Sequence, residues 1–168
     1  IKACAFEKFP QDYAVIQMRL GNAYRDLSEV RDKEANLGLA IKAYQDALKV
    51  CTLTKFPQGY ARIQTNLGSF YVELSQVRDK ETNLGLAIKA YKESIKACTF
   101  EKFPQDYAMT QTNLGVAYVV LSTVRDKEVN LGLAINACQE ALKVRTFEKF
   151  PQDDPVRPGG FRKRDVLR

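Results

Sequence analysis

The segment Gln64-Thr65-Asn66-Leu67-Gly68, followed by Tyr71, lies at the centre of a repeat that decides the fold. It returns 47 residues later as Gln111-Thr112-Asn113-Leu114-Gly115 with Tyr118, and 47 residues earlier as Gln17-Met18-Arg19-Leu20-Gly21 with Tyr24. Three full units open on Phe-Pro-Gln and span residues 9–55, 56–102 and 103–149. The second and third units are identical at 32 of 47 positions, and such self-similarity is typical of stacked repeats.

Each unit has the pattern of two helices. Phe-Pro opens the first helix, because proline is pre-set for the first helical turn. Apolar residues then follow at intervals of three and four, as in Ala61, Leu67, Tyr71 and Leu74, and line one helix face. The second helix is apolar on two sides, which predicts that it is sandwiched between neighbours. The predicted helices span 11–28, 33–51, 58–75, 80–98, 105–122 and 127–145.

Two features of the repeat predict local structure. A mid-helix glycine such as Gly68 costs about 1 kcal/mol relative to alanine, so its recurrence as Gly21 and Gly115 predicts close approach of a neighbouring helix. The segment Val-Arg-Asp-Lys-Glu is identical in all three units and joins the two helices. Its aspartates are predicted N-caps, and an interpretation as linker and cap is favoured over a binding loop because capping accounts for the charges. These aspartates are Asp32, Asp79 and Asp126.

Composition limits the chemistry. The 168 residues include no histidine, so histidine metal sites and Cys–His catalysis are excluded within this sequence. The sequence also has no glycine-rich phosphate loop, and we expect neither enzymatic activity, nor a catalytic residue, nor a bound metal, nor a cofactor. Cys4, Cys51, Cys98 and Cys138 are interpreted as small buried side chains in a reducing compartment. No apolar run approaches the roughly 18 residues of a membrane span, so we expect a cytoplasmic protein that makes no membrane contact.

The formal net charge of +6 does not indicate nucleic-acid binding. Half of it comes from the residues after Asp153, and the repeats carry charges of mixed sign rather than a basic stripe. We divide the chain into a repeat domain, 1–152, and a basic tail, 153–168, which we expect to be poorly ordered. The sequence leaves open whether this tail is natural or artificial. Residues 1–8 match the end of a unit, which predicts a fragment of a longer array.

The motif Leu-Gly-x-x-Tyr on the first helix, with Ala40, Tyr44 and Ala47 on the second, resembles the tetratricopeptide repeat over residues 1–152. The family's unit is about 34 residues, and the longer period adds residues between helices and between units. The resemblance implies an all-α, right-handed α-solenoid of three antiparallel helix pairs. It further implies a scaffold that holds an extended peptide in the concave groove of the first helices.

The long unit is also similar to repeats of bacterial and archaeal multidomain proteins, some of which carry a caspase-like CHAT protease domain. The Thr-Asn-Leu-Gly segment resembles kinesin light chain repeats. The alternative function is therefore a regulatory or sensor segment of a larger enzyme whose catalytic domain is absent from this sequence.

Comparison of the units shows a first-helix face on which residues differ, either because it drifts freely or because it binds a partner. A contiguous apolar patch in the third unit favours binding. The resemblance implies that the two asparagines at equivalent positions bond a peptide backbone, and the arginines would favour acidic partners. The candidate peptide-binding residues are Arg19, Asn22, Arg62, Thr65, Asn66, Met109, Thr112, Asn113, Val116 and Val120.

The two ends of the array carry a further expectation. The last helix, predicted over 127–145, keeps the two-sided apolar pattern although no first helix follows it. At the opposite end, Ala14, Leu20 and Tyr24 have little to cover them. We therefore expect end-to-end self-association.

Overall fold

The computed structural model describes residues 9–144, and regular structure in this part of the chain is entirely helical. The partial unit 1–8, which contains Cys4, and the tail 153–168 lie outside the described residues. All helix ends fall within three residues of the predicted positions. The helices are α1 Pro10–Val30, α2 Lys33–Leu48, α3 Pro57–Leu74, α4 Lys80–Ala97, α5 Pro104–Ser122 and α6 Lys127–Val144.

The helices pack in the order of the chain. Within each unit the first helix packs on the second, giving the pairs α1–α2, α3–α4 and α5–α6. Between units, α2 packs against α3 and α4 against α5, and α3 also contacts α5. The all-α fold with sequential packing of helix pairs is confirmed.

Phe-Pro starts each first helix. Pro10, Pro57 and Pro104 are the first helical residues, where a missing N–H costs nothing because that position has no intrahelical acceptor. The phenylalanine before each proline has an extended φ near −140°, and its carbonyl accepts the first helical hydrogen bond. The backbone N–H of Tyr60, for example, donates to the Phe56 oxygen at 2.8 Å.

The starts of the second helices correct the sequence interpretation. Asp32 and Asp79 occupy the N-cap positions but make no side-chain capping bond. Both have the left-handed conformation, φ 47° and 43°, whereas a capping side chain needs extended backbone. Asp126 has the same conformation at φ 45°. In each turn a buried asparagine side chain instead donates a hydrogen bond to the backbone. Asn83 Nδ2, for example, donates to the Arg78 carbonyl at 2.9 Å.

Two of the recurring glycines, Gly21 and Gly68, are explained by the tyrosines opposite them. A Cβ built on Gly68 would lie 2.5 Å from Cε1 of Tyr91, and one on Gly21 would overlap the ring of Tyr44. Both rings are almost completely buried, so neither can move aside at low cost. The predicted close approach of neighbouring helices at these glycines is confirmed.

Two expectations about burial fail in part. The second helices α2 and α4 are covered on both apolar sides as predicted, except that Leu39 is 43% and Leu86 39% exposed, whereas α6 is covered on one side only. Cys51 and Cys98 are buried, and burial raises the pKa of the Cys98 thiol to about 11. Cys138 is exposed, because no helix within residues 9–144 covers the outer face of α6.

The buried Tyr91 phenol predicts a loss of stability at high pH. Burial raises its pKa from 10 to about 12, so the folded protein keeps the phenol neutral while the unfolded chain ionises. The stabilisation is fully present below about pH 10 and is lost between pH 10 and pH 12. Urea unfolding in this window should therefore show a smaller pH-dependent loss for Tyr91→Phe than for the unchanged protein. Identical losses would contradict the assignment.

Candidate functional site

The first helices α1, α3 and α5 present the predicted binding face, and polar contacts join them directly. Arg25 Nε of α1 donates to Glu73 Oε1 of α3 at 2.9 Å. Gln58 of α3 donates to Asp106 of α5 at 3.2 Å. Nine of the ten predicted residues are exposed or partly exposed on these helices. We call these nine the first-helix surface: Arg19, Asn22, Arg62, Asn66, Met109, Thr112, Asn113, Val116 and Val120.

Thr65 is the exception, and its assignment to the binding face was wrong. Its side chain is buried between α3, α4 and α5, where its hydroxyl contacts Ser94 Oγ at 2.8 Å and Thr110 Oγ1 at 2.9 Å. Ser94 and Thr110 are themselves 3.3 Å apart. The next unit covers Thr65, so this residue stabilises the junction between units instead of contacting a partner.

A hydrogen-bonded chain links the first two units. The Tyr44 hydroxyl donates to Asn22 Oδ1 at 2.7 Å and accepts from Asn66 Nδ2 at 3.0 Å. Burial raises the pKa of this phenol, so the hydroxyl stays protonated and can donate. Asn66 therefore already has an internal role, and its substitution would disturb the junction as well as any ligand contact.

Asn113, at the equivalent position one unit on, differs from Asn66. The Tyr91 hydroxyl lies 3.2 Å from Ser69 Oγ, and within residues 9–144 the Asn113 side chain has no hydrogen-bond partner. In the same described part, Arg19 and Arg62 are exposed and have neither an ion-pair nor a hydrogen-bond partner. Within the described residues, these three side chains can thus bind a partner without breaking a hydrogen bond or an ion pair.

The α5 end of the first-helix surface is apolar. Met109 and Val116 are 40% and 51% exposed, Val119 is exposed beside them, and Val120 is half-buried. In the second unit the positions of Met109 and Val116 hold Arg62 and Ser69. At these positions the surface therefore changes from basic and polar on α3 to apolar on α5.

An apolar cleft at the first junction was missed by the sequence prediction. It has a volume of about 460 Å³ and lies between α1 and the start of α3, with Val15, Met18 and Phe56 in its lining. The corresponding residues at the second junction, Arg62 and Thr65, are polar. This difference was visible in the aligned units, but the contribution of the loop before α3 was not.

The identical Val-Arg-Asp-Lys-Glu segments form a ladder between units. Arg78 Nη1 donates to Glu34 Oε1 of the preceding unit at 2.7 Å, and Arg125 repeats this bond to Glu81 at 2.7 Å. Lys33 and Lys80 donate in the opposite direction, to Gln76 and Thr123. The pairs are about half exposed and contribute at most about 1 kcal/mol each. Inter-unit pairing, in addition to linking the helices, accounts for the charges of this segment.

Comparison with known proteins adds no family. The sequence matches no protein-family model, and a search of curated proteins found no match. Among the helices of residues 9–144, none is sufficiently long and apolar to cross a membrane.

Proposed function

We propose that this protein is a tetratricopeptide-like, right-handed α-solenoid that holds an extended segment of a partner protein on its first-helix surface. The sequential helix pairs and the glycine–tyrosine packing support the architecture. The observation that carries the function is that Arg19, Arg62 and Asn113 are accessible and lack internal partners within the described part of the chain. Asn113 lies on α5, which also carries the exposed apolar residues Met109 and Val116.

The chemistry of this surface defines the ligand. A guanidinium pairs with a carboxylate through two parallel hydrogen bonds, so Arg19 and Arg62 favour an acidic side chain or a chain terminus. The Asn113 amide can donate and accept, which suits a peptide bond whatever its side chain. Met109 and Val116 offer contact area to an apolar side chain. The preferred ligand is therefore an extended peptide with a carboxylate toward α1 and α3 and an apolar residue toward α5.

Peptide selection tests this proposal. A display library of random linear peptides, selected on the unchanged protein, should yield sequences that combine acidic and apolar residues. Replacing Glu by Gln or Asp by Asn in a selected peptide should weaken binding, measured by calorimetry. Arg62→Glu should cost about 1–3 kcal/mol of binding free energy, because it removes a charge-assisted hydrogen bond. Asn113→Ala should also weaken binding but leave the melting temperature unchanged.

Lys89→Glu provides the matched control. This substitution makes the same charge change on an exposed residue of α4, a second helix. If Lys89→Glu weakens binding as much as Arg62→Glu, the effect is one of net charge and the first-helix surface is not the site. Selection of peptides without acidic residues would also contradict the proposed ligand.

A further inference from the structure

The outer face of α6 exposes apolar side chains that the equivalent helices bury. Leu131 and Ile135 are 36% and 58% exposed, whereas Leu84 and Ile88, at the same positions of α4, are 0% and 8% exposed. Leu142 is 66% exposed. In the first two units this face is covered by the first helix of the next unit.

The outer face of α1 shows the complementary feature. Ile16 is 62% exposed and Leu20 is 42% exposed, while their equivalents Ile63 and Leu67 on α3 are 0% and 3% exposed. In the second and third units this face packs on the second helix of the preceding unit.

The faces equivalent to these two pack against each other inside the molecule. A single core cluster joins Leu37, Ile41 and Tyr44 of α2 to Ile63 and Leu67 of α3. A second cluster joins Leu84, Ile88 and Tyr91 of α4 to Leu114 and Leu121 of α5. We propose that the outer face of α6 binds the outer face of α1 of a second copy of this chain and repeats the α2–α3 and α4–α5 junctions between molecules.

The charges at the two ends fit the same arrangement. Glu34 and Glu81 each accept from the arginine of the following unit, at 2.7 Å. At the ends, Glu128 and Arg31 have no ion-pair partner within residues 9–144, and stacking of two copies would pair them. Inside the molecule Lys33 donates to Gln76 and Lys80 donates to Thr123 of the following unit. Stacking of two copies would place Lys127 against Glu29 in the same way. Stacking of two copies would thus repeat the polar pairs between units as well as the apolar contact.

The chain's own C-terminal residues are a poorer match for the α6 face. The positions that correspond to Ile63, Leu67, Phe70 and Leu74 of α3 are Arg157, Phe161, Arg164 and Arg168. Three arginines against Leu131, Ile135 and Leu142 would bury charge without a partner, which is costly. The α1 residues at those positions are Ile16, Leu20, Ala23 and Leu27, which are all apolar.

Sedimentation analysis of the full 168-residue chain tests the inference. The unchanged protein should increase in mass with concentration and show no single closed species, since a head-to-tail contact of this kind continues. Ile16→Asp leaves only the α6 face functional, and Ile135→Asp leaves only the α1 face, so each variant alone should remain monomeric. A mixture of the two should form a 1:1 dimer and nothing larger. Circular dichroism of each variant confirms that it is folded.

A charge exchange gives a second test that leaves the apolar faces intact. Glu128→Arg alone places two arginines together between copies and should weaken association. Combining it with Arg31→Glu restores an opposite pair and should restore association. An unchanged protein that stays monomeric up to millimolar concentration would overturn the inference. So would a mixture of the two aspartate variants that stays monomeric, or a double charge variant no better than the single one.

Discussion

Replacing Gly68 by alanine is expected to lower the free energy of unfolding by about 2 kcal/mol, because overpacking a filled core costs about 1–3 kcal/mol. The new methyl group would lie 2.5 Å from the Tyr91 ring, which is 2% exposed and cannot move without displacing its neighbours. The helix propensity of alanine acts in the opposite direction by about 1 kcal/mol but does not offset the clash. Urea unfolding followed by circular dichroism measures the effect.

Gly85→Ala is the matched control. Gly85 is a helical glycine of α4 with nothing within 4 Å of the position of a Cβ. The substitution should therefore stabilise the protein by about 0.5–1 kcal/mol, the ordinary advantage of alanine over glycine in a helix. If Gly68→Ala and Gly85→Ala have the same effect on the free energy of unfolding, contact with Tyr91 does not explain why residue 68 is glycine.

The third unit suggests a rescue experiment. Its glycine, Gly115, faces Cys138, whose Sγ lies 3.0 Å from the position of a Cβ. Tyr91→Cys would bring this smaller side chain into the second unit. In that background Gly68→Ala should cost little or nothing, and the difference between the two backgrounds measures the clash directly.

Removing the Thr65 hydroxyl should also destabilise the protein. Thr65→Val keeps the shape of the side chain but removes the contacts of the Thr65 hydroxyl with Ser94 Oγ at 2.8 Å and with Thr110 Oγ1 at 2.9 Å. Ser94 then keeps only its 3.3 Å contact with Thr110, which still donates to the Asp106 carbonyl. Leaving buried hydroxyls incompletely bonded costs about 1–3 kcal/mol. Thr112→Val is the control, because Thr112 holds the same repeat position but is exposed. It should change stability by less than about 0.5 kcal/mol.

The first junction shows how the three hydroxyls can be replaced together. Met18, Ala47 and Ile63 occupy there the positions of Thr65, Ser94 and Thr110. The triple variant Thr65→Met, Ser94→Ala, Thr110→Ile should be at least as stable as the unchanged protein, because no buried hydroxyl is left without its partner. A triple variant less stable than Thr65→Val would show that packing, not hydrogen bonding, dominates this junction.

Thr65 also shows what sequence reasoning could and could not establish. The 47-residue period and the apolar spacing were sufficient to predict six helices and the close approach at Gly68. Burial at a repeat position was not predictable from one unit, because it depends on the neighbouring unit. Thr65 and Thr112 both lie in the motif Gln-Thr-Asn-Leu-Gly, yet within residues 9–144 only Thr65 is covered by a following first helix. Cys138 was misassigned for the same reason.

The candidate surface was predictable only as a face. The three-and-four spacing placed Arg19, Arg62 and Asn113 on exposed sides of the first helices, and the structure agrees. The difference between Asn66 and Asn113 depends on the Tyr44 hydroxyl, which comes from another helix 22 residues away. The left-handed aspartates were missed because a sequence pattern identifies an N-cap position but not its backbone conformation.

The ladder of Arg78 with Glu34 and Arg125 with Glu81 has a consequence for how such a chain can change in length. Each unit contains one arginine that can pair with the preceding unit and one glutamate that can pair with the following unit. Duplication or deletion of a whole 47-residue block therefore leaves the arginine of each unit that follows another unit opposite a glutamate. A deletion of any other length would shift the register and separate the pairs. The Val-Arg-Asp-Lys-Glu segment thus makes the same contacts at each junction, while the residues of the first-helix surface can differ from one block to the next.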